Sequence, residues 1–404
     1  MFSAPTLSAG WPASVLLSKA ASYLTQAASD ALMKTESDGV SLLEYGPVEG
    51  LSTFREVLAA YLSKEYQDDV HVDSHSYYIF NRNDLFITCG ATYGLYLLAT
   101  LFFHSGDMVF MEEASYHRVA TILGDELKLQ VIPVSMDKCG ILTEDLKKVV
   151  EKTLSTVPRK PASSLQSFRA MLYLIPIFHN PTGICLSHER CREVIDIARK
   201  NDLLVVCDDV YNLLSYTDEK YPRLFSYDKK DDPDYQGNVV SVGTFSKIFG
   251  PGIRVGWLEG PQCVLSYLKT WSACCQRSNN LSLFLLEFLN VHVYTQCSLS
   301  SSGSPNHCMS GILERAIGLG LQHQLLTEAR AFYKRNMSAM CQVLEKSLPP
   351  SVKFTKPKGG YFVWITMPKH VCAEDVVQLC DKEYGVVVNA GHILVLILTH
   401  PCWF

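Results

Sequence analysis

The sequence has no surplus of positive charge: 36 lysines and arginines stand against 41 aspartates and glutamates, a net charge of −5. Nucleic acids and acidic membrane surfaces are held by clustered basic residues, so neither is expected as a partner. Long apolar runs are also missing, and the late stretch "ILVLIL" (Ile393–Leu398) is far too short to span a bilayer. The opening "MFSAPTLSAGWPASVLLSKAAS" has neither a basic n-region nor a long apolar h-region, so it does not read as a secretory leader. In the closing "PCWF", Cys402 stands one position too late for a prenylation box. The G-x-G-x-x-G fingerprint of a nicotinamide-binding strand-turn-helix is absent after the first strand-like run. Cysteine is plentiful, at 14 residues, but no C-x-x-C pair occurs, and "LLVVCDD" uses Cys207 as a small apolar residue. Reduced thiols and a cytoplasmic protein are the expectation, and the vicinal pair Cys274-Cys275 reads as incidental.

A chain of 404 residues exceeds what one hydrophobic core usually organises, so two domains are expected. Strand-like apolar runs alternate with amphipathic helical segments. The runs are "DLFIT" (Asp84–Thr88), "DMVFM" (Asp107–Met111), "LQVIPV" (Leu129–Val134), "AMLYLIPI" (Ala170–Ile177), "LLVVCDD" (Leu203–Asp209), "NVVSVG" (Asn238–Gly243) and "IRVGWLEG" (Ile253–Gly260). Helices are expected over "ATYGLYLLATLFF", "SYHRVATILGDEL" and "SHERCREVIDIARKN". This alternation predicts an α/β core over about residues 41–270, with a sheet covered by helices. No internal repeat is evident.

Ligands of such sheets gather at the carboxyl ends of the strands, and the unusual polar residues fall there. Gly90-Ala91-Thr92 opens a helix, whose free N–H groups and positive dipole end suit a phosphate. Asn180-Pro181-Thr182-Gly183 reads as a turn, with Thr182 or Ser187 as a helix cap. Asp208 closes an apolar strand and needs a cation, a hydrogen-bond donor or a turn to satisfy it. In "SVGTFSKIFGPGIRVGW" (Ser241–Trp257), Lys247 offers an amine able to condense with a carbonyl, and Arg254 a fork that matches a phosphate. Together these describe a site for a phosphorylated aldehyde with a protonatable ring nitrogen, pyridoxal 5′-phosphate.

The motifs "YGPVEGL" (Tyr45–Leu51), "CGATYGL" (Cys89–Leu95), "SYH" around Tyr116, "HNPTG" (His179–Gly183), "DDVY" (Asp208–Tyr211), "SKIFGPGIRVGW" (Ser246–Trp257) and "KGGYFVW" (Lys358–Trp364) occur in one order over most of the chain. With them the chain resembles the fold type I, class I/II pyridoxal-phosphate aminotransferases, in particular the 2-aminoadipate and kynurenine aminotransferases. The resemblance implies a mostly parallel, seven-stranded α/β large domain over 41–270 and a smaller α+β domain built from 1–40 and 303–404. It implies that Lys247 holds the cofactor covalently and carries the substrate Cα proton, that Asp208 pairs with the ring N–H, and that Asn180 and Tyr211 bond the phenolic oxygen. Tyr116 stacks on the ring. Ala91, Thr92, Thr244, Ser246 and Arg254 hold the phosphate, and Tyr45 reaches the phosphate of a neighbouring subunit in a homodimer. The substrates implied are an amino acid and a 2-oxo acid, with no metal.

Three stretches depart from the pattern. No arginine follows Arg335, where relatives carry one that grips the substrate α-carboxylate, and the end "NAGHILVLILTHPCWF" looks unlike the family. Residues 271–302 read as an atypical insertion or, through "LSLFLLEFLNVHV", as a buried helix. Gly10 in "SAGWP" matches the family's substrate-side glycine. These departures keep open a catalytically impaired cofactor-binding relative, and the same lysine and electron sink could serve a lyase. They also lead to the expectation of uncovered apolar surface around Val386–Val388.

Overall fold

The computed structural model describes residues 5–8, 14–38, 41–67, 81–158, 168–219, 221–277, 306–384 and 388–390. In chain order the elements begin with β1 (Pro5–Ser8), α1 (Ser14–Asp38), α2 (Ser52–Tyr66), β2 (Leu85–Thr88), α3 (Ala91–Phe102), β3 (Met108–Glu112) and α4 (His117–Ala120). Next come β4 (Gln130–Val134), the short hairpin of β5 (Met136–Asp137) and β6 (Gly140–Ile141), α5 (Thr143–Leu154), β7 (Ala170–Leu174), α6 (His188–Asn201), β8 (Leu203–Asp208), β9 (Val239–Thr244), β10 (Gly256–Glu259) and α7 (Gln262–Arg277). The chain continues with α8 (His307–Gly318), α9 (Leu321–Ser347), β11 (Lys353–Phe354), β12 (Phe362–Thr366), α10 (Ala373–Tyr384) and β13 (Asn389–Ala390).

Seven strands form the central sheet in the order β2-β10-β9-β8-β7-β3-β4. Five of them, β4, β3, β7, β8 and β9, pair in parallel, whereas β10 runs antiparallel to both β9 and β2. The reversal has a direct consequence: β10 begins at the edge where its parallel neighbours end, so the residues leading into it join the same cluster.

Parallel strands are covered on both faces and therefore read as continuous apolar runs. Their side chains still alternate. Met171, Tyr173, Leu204, Val206, Val240 and Val242 pack with α3 on one face, while Ala170, Leu172, Leu174, Leu203, Val205, Cys207 and Val239 pack with α5 and α6 on the other. Strand parity thus puts Tyr173, Val206, Asp208 and Val242 on the α3 face. Helix α6 starts where Ser187 Oγ accepts the Arg190 N–H (3.3 Å) and stops at Asp202, in the left-handed conformation.

A second sheet, β11-β12-β1-β13, places the N-terminal strand between late ones. A third apolar cluster joins α1, α2, α8 and α9 to Tyr361, Val363 and Ile365 at this sheet.

Two expectations need correction. The helix read over "SYHRVATILGDEL" is only one α-turn, α4, which widens into a π-helical turn at Thr121–Glu126. Val388 is 6% exposed and not an uncovered apolar residue. Of the two caps left open at "HNPTG", Ser187 is the one used, since Thr182 Oγ1 lies 2.9 Å from His179 Nδ1 instead. Gly10, most of the 271–302 segment, Val386 and the tail from 391 lie outside the described residues, and only the backbone of 271–277 is described, as the end of α7.

Candidate active site

A cavity of about 540 Å³ opens at the carboxyl edge of the central sheet, and it brings together Ala91, Thr92, Tyr116, Asn180, Asp208, Tyr211, Thr244, Ser246, Lys247 and Arg254. Each follows from the topology. Ala91 and Thr92 come after β2, Tyr116 after β3, Asn180 after β7, Asp208 and Tyr211 at the end of β8, and Thr244, Ser246 and Lys247 at the end of β9. Arg254 precedes the reversed β10 and so reaches the same edge.

At the centre, Tyr173 Oη donates to Asp208 Oδ2 (2.6 Å). The other carboxylate oxygen, Oδ1, is buried and has no hydrogen-bond partner among the described residues. Burial, reinforced by the neighbouring Asp209 carboxylate, pushes the Asp208 carboxyl up to about 6, although the Tyr173 hydrogen bond and the Lys247 charge oppose the rise. Burial likewise lowers the Lys247 amine, with Asp208 acting against the shift and Arg254 with it. Lys247 Nζ stands 5.8 Å from the ring centroids of both Tyr211 and Tyr361, and Tyr361 Oη donates to the Lys247 carbonyl (3.2 Å). The Tyr211 and Tyr361 rings meet edge to face at 5.3 Å. Burial and the Asp208 charge hold the Tyr211 phenol well above its ordinary value.

One wall is a ready anion cradle. Gly90, at φ +96°, turns the chain into α3, and a Cβ there would sit 2.8 Å from Arg254 Nη2, so the guanidinium needs glycine at this point. Arg254 itself donates to the carbonyls of Pro251 (3.2 Å) and Cys89 (3.0 Å) and makes no ion pair with a described carboxylate. Thr244 Oγ1 accepts the Ser246 N–H (3.1 Å), which orders the turn between β9 and Lys247. Among the described residues no cluster suited to a metal ion occurs.

Tyr45 lies apart from this cavity with 80% of its surface exposed. Several residues here escaped the sequence reading. Tyr173 was hidden in an apolar run, and Tyr361 and Phe362, which stood in "KGGYFVW" without a role, also line the cavity where the chain enters β12. Glu112, fully buried, accepts the Ile175 N–H (3.0 Å) and pairs with His179 Nε2 (3.0 Å), fixing the loop that carries Asn180. The "HNPTG" motif contained His179 but gave no sign of its carboxylate. Arg118, on the rim, carried no signal beyond its place after Tyr116.

The donor set suits pyridoxal 5′-phosphate. The orphaned Asp208 Oδ1 awaits a buried donor such as a protonated ring nitrogen, and an amine and a guanidinium-helix cradle stand around it.

The chain matches the model of aminotransferase class I and II over residues 14–404. It is similar to aromatic-amino-acid aminotransferase 1 of Thermococcus litoralis, 24% identical over 336 residues, covering 83% of this chain and 68% of that protein. It is also 29% identical over 311 residues to the mitochondrial kynurenine/alpha-aminoadipate aminotransferase of Rattus norvegicus, covering 76% and 65%. Among solved structures, the alpha-aminoadipate aminotransferase of Thermus thermophilus superposes with a TM-score of 0.70 at 23% identity, covering 96% of this chain and 82% of that one. The chain therefore belongs to the aminotransferase class I and II family and is a pyridoxal 5′-phosphate-dependent aminotransferase.

Proposed function

We propose that the protein moves an α-amino group from an amino acid of the 2-aminoadipate, kynurenine or aromatic class to a 2-oxo acid, with Lys247, Asp208 and Tyr211 as the catalytic residues. The observation that carries this reading is the pair of unmet groups at the cavity floor: a buried carboxylate oxygen without a donor, beside a half-buried amine without a hydrogen-bond acceptor among the described residues. Relatives named for 2-aminoadipate, kynurenine and aromatic amino acids support the substrate class.

Bound pyridoxal 5′-phosphate supplies an electron-withdrawing ring that makes the substrate's Cα–H acidic. Asp208 Oδ1 would accept the ring N–H and keep that proton in place. Tyr173 holds Asp208 in orientation through Oδ2. Lys247 would anchor the cofactor and would hold the proton of the substrate Cα at Nζ, its lowered basicity favouring the neutral amine. Asn180 and Tyr211 would bond the phenolic oxygen, and Tyr116, on the cavity wall, would help to exclude water. Arg254, Thr244, Ser246 and the start of α3 at Ala91 and Thr92 would hold the phosphate.

The exposure of Tyr45, outside its own cavity, supports a homodimer in which it reaches the partner's phosphate site. Free thiols at all ten described cysteines support a reducing, cytoplasmic setting. No helix among the described residues is long and apolar enough to cross a membrane. The central sheet falls wholly within 41–270, and the second sheet draws only on 5–8 and 353–390, which supports the two-domain division.

The test is borohydride reduction of the cofactor-loaded protein, followed by peptide mass spectrometry and by an assay of 2-oxo acid formation from 2-aminoadipate and kynurenine. The expected result is a reduced pyridoxyl group on the Lys247 peptide alone and amino transfer that needs an oxo-acid acceptor. A label elsewhere, or product formation without an acceptor, overturns the assignment.

A further inference from the structure

We propose that Arg118 is the residue that selects a dicarboxylic substrate, by pairing with the side-chain carboxylate of the incoming amino acid or 2-oxo acid. The inference rests on the aminotransferase reading of this cavity and extends it to a residue that the motifs leave without a role.

Three cationic side chains other than histidine line the cavity: Arg118, Lys247 and Arg254. Lys247 belongs to the reacting carbon. Arg254 is fixed beside the start of α3 by two backbone carbonyls and belongs to the phosphate. Arg118 is left over, and its surroundings differ from those of the other arginines. Arg55, Arg169, Arg190, Arg199, Arg223, Arg315 and Arg330 each donate to a carboxylate or a carbonyl. Arg82 pairs with Glu56, and Arg192 and Arg335 lie over aromatic rings. Among the described residues, Arg118 has no such partner, although it stands at the wall of a cavity whose amino-acid and oxo-acid substrates all carry carboxylates.

Depth decides which carboxylate it meets. The reacting carbon must approach Lys247 Nζ, which is half-buried between Tyr211 and Tyr361. Arg118 is exposed, two residues after Tyr116 and at the mouth. A substrate whose Cα is held at the floor directs its side chain toward this rim, where a long guanidinium can form a two-pronged hydrogen bond with a terminal carboxylate. Its neighbour His117 is held below its ordinary basicity by burial and by Arg118, so the rim's positive charge is the arginine's.

The test compares two ligands of equal length, glutarate and pentanoate, titrated calorimetrically into the cofactor-loaded wild type and the variants Arg118→Gln and Arg118→Lys. The wild type should prefer glutarate by about 10- to 100-fold, the worth of a charge-assisted hydrogen bond. Arg118→Gln should abolish that preference, and Arg118→Lys should restore part of it. In turnover, the ratio of kcat/KM for 2-aminoadipate over that for leucine should fall by the same factor in Arg118→Gln. A preference that survives Arg118→Gln, or a wild type without one, overturns the proposal. Should the wild type transfer no amino group while glutarate binding still depends on Arg118, the catalytic reading fails and the carboxylate site stands.

Discussion

The two edges of the central sheet treat charge in opposite ways. At the amino edge, Arg199, in the last turn of α6, meets three aspartates: its Nη2 donates to Asp228 (2.9 Å) and Asp232 (2.8 Å), and its Nη1 to Asp234 (2.7 Å). Asp228 in turn accepts the N–H groups of Asn238 and Val239, where β9 begins. Arg223 and Glu259 form a fully buried pair at the same edge. At the carboxyl edge, among the described residues, Asp208 Oδ1 has no donor, Lys247 has no carboxylate within bonding distance, and Arg254 is held by carbonyls alone. A buried charge is costly until it is paired. At the amino edge the buried cations Arg199 and Arg223 each meet a carboxylate, whereas at the carboxyl edge, among the described residues, Lys247 and Arg254 meet none. Ion pairing of the cations separates the two edges among the described residues, although both are rich in charge.

Substitutions that exchange these two characters test the contrast. Lys247→Ala should lower amino transfer by about 10⁴-fold, at the upper end of what positioned proton transfer is worth, because the proposed anchor and proton carrier is lost. Thermal stability should not fall, since the amine removed is one that burial disfavours. A loss of melting temperature to match the loss of activity would show that Lys247 belongs to the framework and would erase the contrast.

Arg199→Ala should do the reverse. Removing the cation leaves Asp228 buried without its partner, which costs about 3–5 kcal/mol in comparable sites. Urea unfolding should record that loss, while kcat/KM of the folded fraction stays at the wild-type level. An effect on kcat/KM without an effect on unfolding would mean that the amino edge takes part in chemistry.

Most of the framework was legible in the sequence because parallel strands leave continuous apolar runs. Asp208 was legible because a charge that closes such a run must find a buried partner, and Lys247 because it stands in the turn just after one. Less visible were the groups whose importance depends on direction. Tyr173 sits in "AMLYLIPI" as one more apolar residue, and only strand parity turns its hydroxyl toward Asp208. Tyr361 reaches Lys247 from far along the chain, a contact that no local pattern encodes. Glu112 ends an apolar strand just as Asp208 does, but its partner His179 comes from another loop. The π-helical turn after α4 was hidden because its residues also suit an ordinary helix.

The smallest effect expected comes from Asp208→Asn in the cofactor-free protein, and its sign is the most informative. Burial raises the Asp208 carboxyl from 3.8 to about 6, so the folded state holds this proton more tightly than the unfolded chain. The stabilisation from that proton is fully present below about pH 4 and is lost as the pH rises through about 6. A shift of about two units corresponds to about 3 kcal/mol as an upper figure. Asparagine keeps an acceptor for Tyr173 and never ionises. Cofactor-free Asp208→Asn should thus be more stable than wild type by up to about 3 kcal/mol at pH 8, with the difference closing between pH 6 and pH 4 in urea unfolding. Adding pyridoxal 5′-phosphate should reverse the order at pH 8, because a cationic ring N–H pairs with the wild-type carboxylate and not with a neutral amide. Parallel unfolding curves across this range would mean that Asp208 is satisfied without a ligand, and the distinction between the two edges would fail at the residue that defines it.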